Sequence, residues 1–142
     1  MVRLADRQFR DAVYRAIYSA DDPADRPLIS SLLRHEMQKH RGGPGFDTSL
    51  LFCAFLLAIR RELRDVLLIW EAKNVSFDTL CGLDVQLLVL AGPEETLRFL
   101  RGEGSPDAEA ARAYIEQGQT AGDFQDLEGY LAFCRKYLGL PA

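Results

Sequence analysis

The chain has 142 residues, 48% of them hydrophobic, and a formal charge of −4, which is enough apolar material for one domain with a sizeable core and no disulfide or metal to staple it. An excess of acidic over basic side chains, 21 against 17, argues against broad electrostatic capture of nucleic acid. The longest apolar run, Leu50 to Ile59, is about half of the roughly 20 residues that a membrane-spanning helix needs, so it reads as a buried helix and no membrane partner is expected.

In chain order, the first helix is predicted from about Asp6 to Tyr18, because Phe9, Val13 and Ile17 recur every four residues while Arg7, Arg10 and Arg15 fall elsewhere. Asp21, Asp22, Pro23 and Pro27 interrupt the pattern; Leu28, Ile29, Leu32, Leu33 and Met37 resume it on a second helix that ends near His40. Arg41-Gly42-Gly43-Pro44-Gly45 makes a loop. Thr48 to Ile59 is apolar at nearly every position, so a third helix there should be covered on all sides and form the centre of the core.

A fourth helix over about 61–73 places Leu63, Val66, Leu67 and Trp70 on one face and leaves Arg60, Arg61, Arg64 and Lys73 free to reach solvent. A fifth is expected over about Thr79 to Leu90, and Gly92-Pro93 separates it from a shorter sixth carrying Leu97, Phe99 and Leu100. Ser105 offers a cap with Pro106 at the first helical position of a seventh helix through Tyr114 and Ile115. Gln117 to Gly122 breaks it, and Phe124, Leu127, Leu131, Cys134 and Leu138 mark the last helix. No alternating run demands a sheet. The expected fold is therefore all-α, a single domain over 1–142 built from stacked antiparallel helix hairpins, with about eight helices.

Phe46-Asp47-Thr48 before one apolar helix recurs as Phe77-Asp78-Thr79 before another, 31 positions later. Asp or Thr can cap each helix start, and the Phe can pack back on the first turn as a staple. A period of this size points to a helical-repeat array. The repeat resembles a degenerate ankyrin repeat over about residues 46–104: Thr48, Leu50, Cys53 and Ala54 match the opening of the inner helix, and Glu62-Leu63 with Val66-Leu67 match the second. In the next copy Gly92, Glu95-Thr96-Leu97 and Phe99-Leu100 are similar to the matching portion. Neither copy has the family's Pro or His, and Asp84 falls where the family keeps an apolar residue. A generic helical-hairpin array fits as well; either form implies a binding module.

Cys53, Cys81 and Cys134 lie in apolar helical patterns rather than in a close pair and read as reduced core residues. Arg3, Asp6, Arg7, Arg10 and Asp11 stand where an export signal would be apolar, so a cytoplasmic location is expected. His35 and His40 are five apart, whereas a metalloprotease helix sets its pair four apart on one face. They read as a solvated basic helix end. The sequence implies no metal, no cofactor and no catalytic constellation.

The densest polar group near the repeat boundary contains Trp70, Glu71, Lys73, Asp78 and Asp84, a candidate recognition surface in which Trp supplies area and the polar groups supply orientation. A blander reading makes Trp70 core, Asp78 a cap, and Glu71 and Lys73 solvated. Asp84 interrupts an apolar stretch and calls for an exposed position or a partner such as Arg60 or Arg64. The aromatics Tyr114, Phe124, Tyr130, Phe133 and Tyr137 alternate with acidic residues, either as the cap of the stack or as a docking face. Net charge runs +2, −2 and −4 over residues 1–45, 46–101 and 102–142, so the acidic end suits a basic protein partner. The leading expectation is a protein–protein interaction module, by analogy with small bacterial inhibitors or toxin-neutralising immunity proteins. The alternative is a small-molecule-binding helical domain or enzyme with a pocket at Asp84. Self-association into a homo-oligomer through an exposed apolar helix face is a third.

Overall fold

A computed structural model describes residues 2–41 and 43–141. Among these it is all-helical, with eight α-helices joined by short turns: α1 Arg7–Ala20, α2 Arg26–His40, α3 Thr48–Ala58, α4 Val66–Lys73, α5 Phe77–Gly82, α6 Pro93–Glu103, α7 Pro106–Ala121 and α8 Leu127–Leu138. α2 packs along α3, α1 crosses α3, and α6 and α7 form a hairpin. The centre is α3, in which every residue from Ser49 to Ala58 is buried, as an unbroken apolar sequence requires.

Local chemistry sets the helix starts. The carboxylates of Asp6, Asp47 and Asp126 and the hydroxyl of Ser105 accept backbone N–H groups at the heads of α1, α3, α8 and α7, satisfying donors that have no partner inside the helix. The second Phe-Asp-Thr segment is capped differently from the first. Ser76 is the cap of α5 and closes a capping box with Thr79, which puts Phe77 inside the helix with 76% of its surface exposed. It staples nothing. Phe46 instead lies across Gly82, where an added methyl group would come within 2.6 Å of its ring.

Three boundaries differ from the periodic pattern. α4 begins at Val66, because Arg61 takes a left-handed conformation (φ 58°) and residues 63–65 form a single 3₁₀ turn; Asp65 there is buried and ion-paired with Arg26. α5 stops at Gly82, since Leu83 is extended and Asp84 heads a 3₁₀ turn over Val85–Leu88. No continuous helix spans 79–90. α7, by contrast, continues through Gly118 to Ala121, because the Phe124 ring packs on the bare α-carbon of Gly118, 3.1 Å from where a methyl group would stand.

Cys53 and Cys134 are buried, whereas Cys81 is exposed on α5 rather than in the core. The C-terminal end of α8 is tied to α1, with the Arg15 guanidinium donating to the Leu138 carbonyl at 2.9 Å and the Tyr18 hydroxyl to the Pro141 carbonyl at 3.1 Å. Leu131, Cys134 and Leu138 of α8 face inward. No described helix is long and apolar enough to cross a membrane.

Candidate functional site

The five residues of the polar group around Trp70 separate into different environments. Trp70 is buried at the end of α4, with its ring 5.5 Å from that of Tyr114. Glu71 is exposed and 3.4 Å from Arg41 of the loop after α2. These two residues, with Arg41, Asn74, Val75 and Asp107, line a shallow cleft of about 400 Å³. The other three do not reach it.

Lys73 is not solvated, as its charge suggested, but buried. Its ammonium donates to the carbonyl oxygens of Leu80 and Leu83 and sits 5.1 Å from the centre of the Tyr114 ring. It therefore holds the last turn of α5, whose carbonyls have no partner inside the helix. Burial depresses the Lys73 ammonium below its ordinary range, against the pull of Asp84 and Cys81. Asp78 accepts the Gly45 N–H at 2.6 Å, tying the loop before α3 to α5. Asp84 is exposed and accepts the Tyr130 hydroxyl at 3.0 Å. Its partner is thus a phenol of α8, not Arg60 or Arg64, and it lines neither the Trp70 cleft nor the clefts beside α1 and α3.

A polar centre that the pattern did not reveal joins α1, α2 and α3. Glu36 is wholly buried and accepts from Arg10 Nε at 2.8 Å, from the Tyr14 hydroxyl at 2.5 Å and from the Ser49 hydroxyl at 2.8 Å. Arg10 also donates to the Leu4 carbonyl at 2.9 Å. His40 belongs to the same junction and is buried, not part of a solvated helix end. Its Nδ1 faces the Glu36 carbonyl at 2.7 Å and its Nε2 faces the Asp47 N–H at 3.1 Å, which fixes the neutral Nδ1–H tautomer. Burial would raise the carboxyl of Asp47, but the Ser49 N–H and the charges of Arg7 and Arg10 outweigh it and hold it below the usual range. Every functional atom in this centre is already engaged, so it locks helices together and offers no free nucleophile or base. Among the described residues no three His, Cys, Asp or Glu side chains converge as metal ligands would.

The aromatics of the last third divide by face. Tyr114, Phe124 and Tyr130 are half-buried against the core, and burial, with Cys134 and Asp84 alongside, raises the Tyr130 phenol well above its ordinary value. Phe133 and Tyr137 point outward on α8, 60% and 57% exposed, with their rings stacked 6.1 Å apart. The spacing of four residues places both on one stripe of the helix, and Gly129, Ala132, Glu128 and Lys136 complete the exposed surface around them. Compared with protein-family models, with curated proteins and with solved structures, the chain matches none.

Proposed function

We propose that this protein is a protein-binding module and that its contact face is the outer surface of α8. The observation that carries this reading is the stacked, exposed pair Phe133 and Tyr137. Each ring, still more than half exposed, forgoes part of the about 1.5–3 kcal/mol that full burial of such a side chain gives, and adjacent exposed aromatics rimmed by charge are the kind of anchor that interfaces use. Leu28 and Phe77 are also exposed but stand elsewhere on the surface as single side chains, which is ordinary. Trp70 and Glu71 form a second, shallower candidate face at the cleft beside Arg41.

An inhibitory or toxin-neutralising role is the form of the module we favour, because the net −4 of residues 102–142 suits a basic target. The free thiols of Cys53, Cys81 and Cys134 support a reducing compartment such as the cytoplasm. An ankyrin-like origin for residues 46–104 rests on the residue matches; the different cap of the second copy weighs against it.

The test is affinity purification of the tagged chain from its own cell, with mass spectrometry and sizing of what co-elutes, repeated with Phe133→Glu/Tyr137→Glu and with Phe77→Glu as control. A stoichiometric protein lost only with the α8 variant is the expected result. Recovery of the bare chain would defeat the module reading, and a partner retained by the α8 variant but lost on Glu71→Lys would move the face to the Trp70 cleft.

A further inference from the structure

A second cleft, of about 300 Å³, opens where the C-terminal ends of α1 and α3 meet the last turn of α8. Ile17, Leu56 and Ile59 give it an apolar floor, and Tyr18, Asp21, Arg60 and Arg135 supply its polar wall. Neither guanidinium has an ion-pair partner among the described residues. One terminal nitrogen of Arg60 donates to the Asp22 carbonyl at 3.0 Å, but its Nε, shielded from water, has no acceptor. A buried guanidinium N–H left unsatisfied is costly and uncommon in a native structure, so the Arg60 guanidinium, which lines the cleft, is short of acceptors within the fold.

Backbone strain falls in the same place. Asp21 and Arg61 are the non-glycine residues that adopt positive φ among those described, at 48° and 58°; Asp21 lines the cleft and Arg61 follows Arg60. Asp21 ends α1 in a conformation that glycine usually supplies, and Arg61 adopts a positive φ in the turn that follows α3; such strained positions gather at ligand clamps.

We propose that this cleft binds a small aliphatic carboxylate, held by Arg60 and Arg135, with its hydrocarbon chain on Ile17, Leu56 and Ile59. The planar fork of arginine matches a carboxylate. The volume lies at the low end of ligand pockets, roughly 300–1,000 Å³, which suits a branched acid of a few carbons rather than a nucleotide. Asp21 in the wall disfavours a dianion such as phosphate and offers an acceptor for an ammonium group, so the carboxylate is either a simple acid or an amino acid. This site is independent of the α8 face.

Calorimetric titration of the full chain with 4-methylpentanoate, leucine and 3-methylbutylamine tests the assignment. Saturable binding of the acids and none of the amine is expected; tighter binding of leucine assigns an amino acid, and equal binding a simple acid. Arg60→Gln and Arg135→Met should each weaken binding by about tenfold or more, while Arg34→Gln on the exposed side of α2 leaves it unchanged. Because Arg60 also holds the Asp22 carbonyl, Arg135→Met, which breaks no such bond, is the deciding variant. In the unmodified chain, ligand-induced shifts of the Ile17, Leu56 and Ile59 methyl resonances give a readout that no variant's folding affects. Silence in both acid titrations, equal binding of the amine, or unchanged affinity in a folded Arg135→Met protein overturns the proposal.

Discussion

Arg10 and Glu36 form an ion pair 2.8 Å long across the α1–α2 contact, with 1% and 0% of their side chains exposed. Removing charges from water is expensive, and only excellent geometry with further hydrogen bonds offsets it. Tyr14 and Ser49 supply those bonds on the Glu36 side, and the Leu4 carbonyl does so for Arg10. Arg10→Met should therefore destabilise the fold by about 3–5 kcal/mol, because Glu36 is left buried without its cationic partner. The double variant Arg10→Met/Glu36→Met should recover a large part of that loss. Urea unfolding of the single and double variants measures both, and additive losses would show that the pair is not coupled.

This pair also marks the limit of what the sequence discloses. Periodicity identifies α3 as the covered centre and locates α1, α2, α6, α7 and α8, because each carries a one-sided or all-round apolar pattern. It sets Lys73 toward solvent and Arg10 merely off the apolar stripe, since a charged residue on a helix reads as surface unless its partner is visible. The partners here are Glu36, 26 positions away, and the carbonyls of Leu80 and Leu83. Asp84 is misplaced for a related reason: the apolar residues on either side disguise an extended Leu83 and a 3₁₀ turn as one long helix. The exposed pair on α8 is visible as part of a cluster of aromatics, but which of them face water depends on which side of α8 turns inward, the side of Leu131, Cys134 and Leu138. The Arg60–Arg135 cleft joins side chains from two distant helix ends and leaves no local signal.

Tyr14 makes alkaline stability a test of the same centre. Burial, aided by Cys53 and Glu36, raises its phenol far above the ordinary 10.0. The native state then keeps the proton at pH values where the unfolded chain loses it. This contribution is fully present below pH 10.0 and declines above it, by about 1.4 kcal/mol for each pH unit. Tyr14→Phe keeps the ring against Phe52, loses the hydrogen bond to Glu36, and should flatten that decline by about the same slope. Parallel stability curves between pH 9 and 11, both approximate bounds for the assay, would contradict the assignment.

Lys73 predicts a local effect. With its ammonium replaced in Lys73→Met, the carbonyls of Leu80 and Leu83 lose their donor inside the protein, at a cost of about 1–3 kcal/mol. α5 has only six residues, so it should open before the rest of the molecule. Hydrogen exchange by NMR should show faster exchange at the amides of Leu80 and Leu83 with little change in α3. Uniform acceleration across the chain would mean that Lys73 supports the whole core rather than this one helix end.

The exposed pair on α8 makes the opposite prediction, one of stability unchanged. Phe133 and Tyr137 stack on each other and are more than half exposed, so replacing either by Ser removes little buried area. Unfolding free energy should stay within about 0.5 kcal/mol of the parent. A core role would give a loss several times larger, because truncating a buried aromatic costs about 3–5 kcal/mol. If stability is retained while the co-purifying protein is lost, the aromatic pair acts in binding and not in folding. If stability falls instead, α8 needs both rings to stay docked on α1, and its outer face can no longer be assigned to a partner.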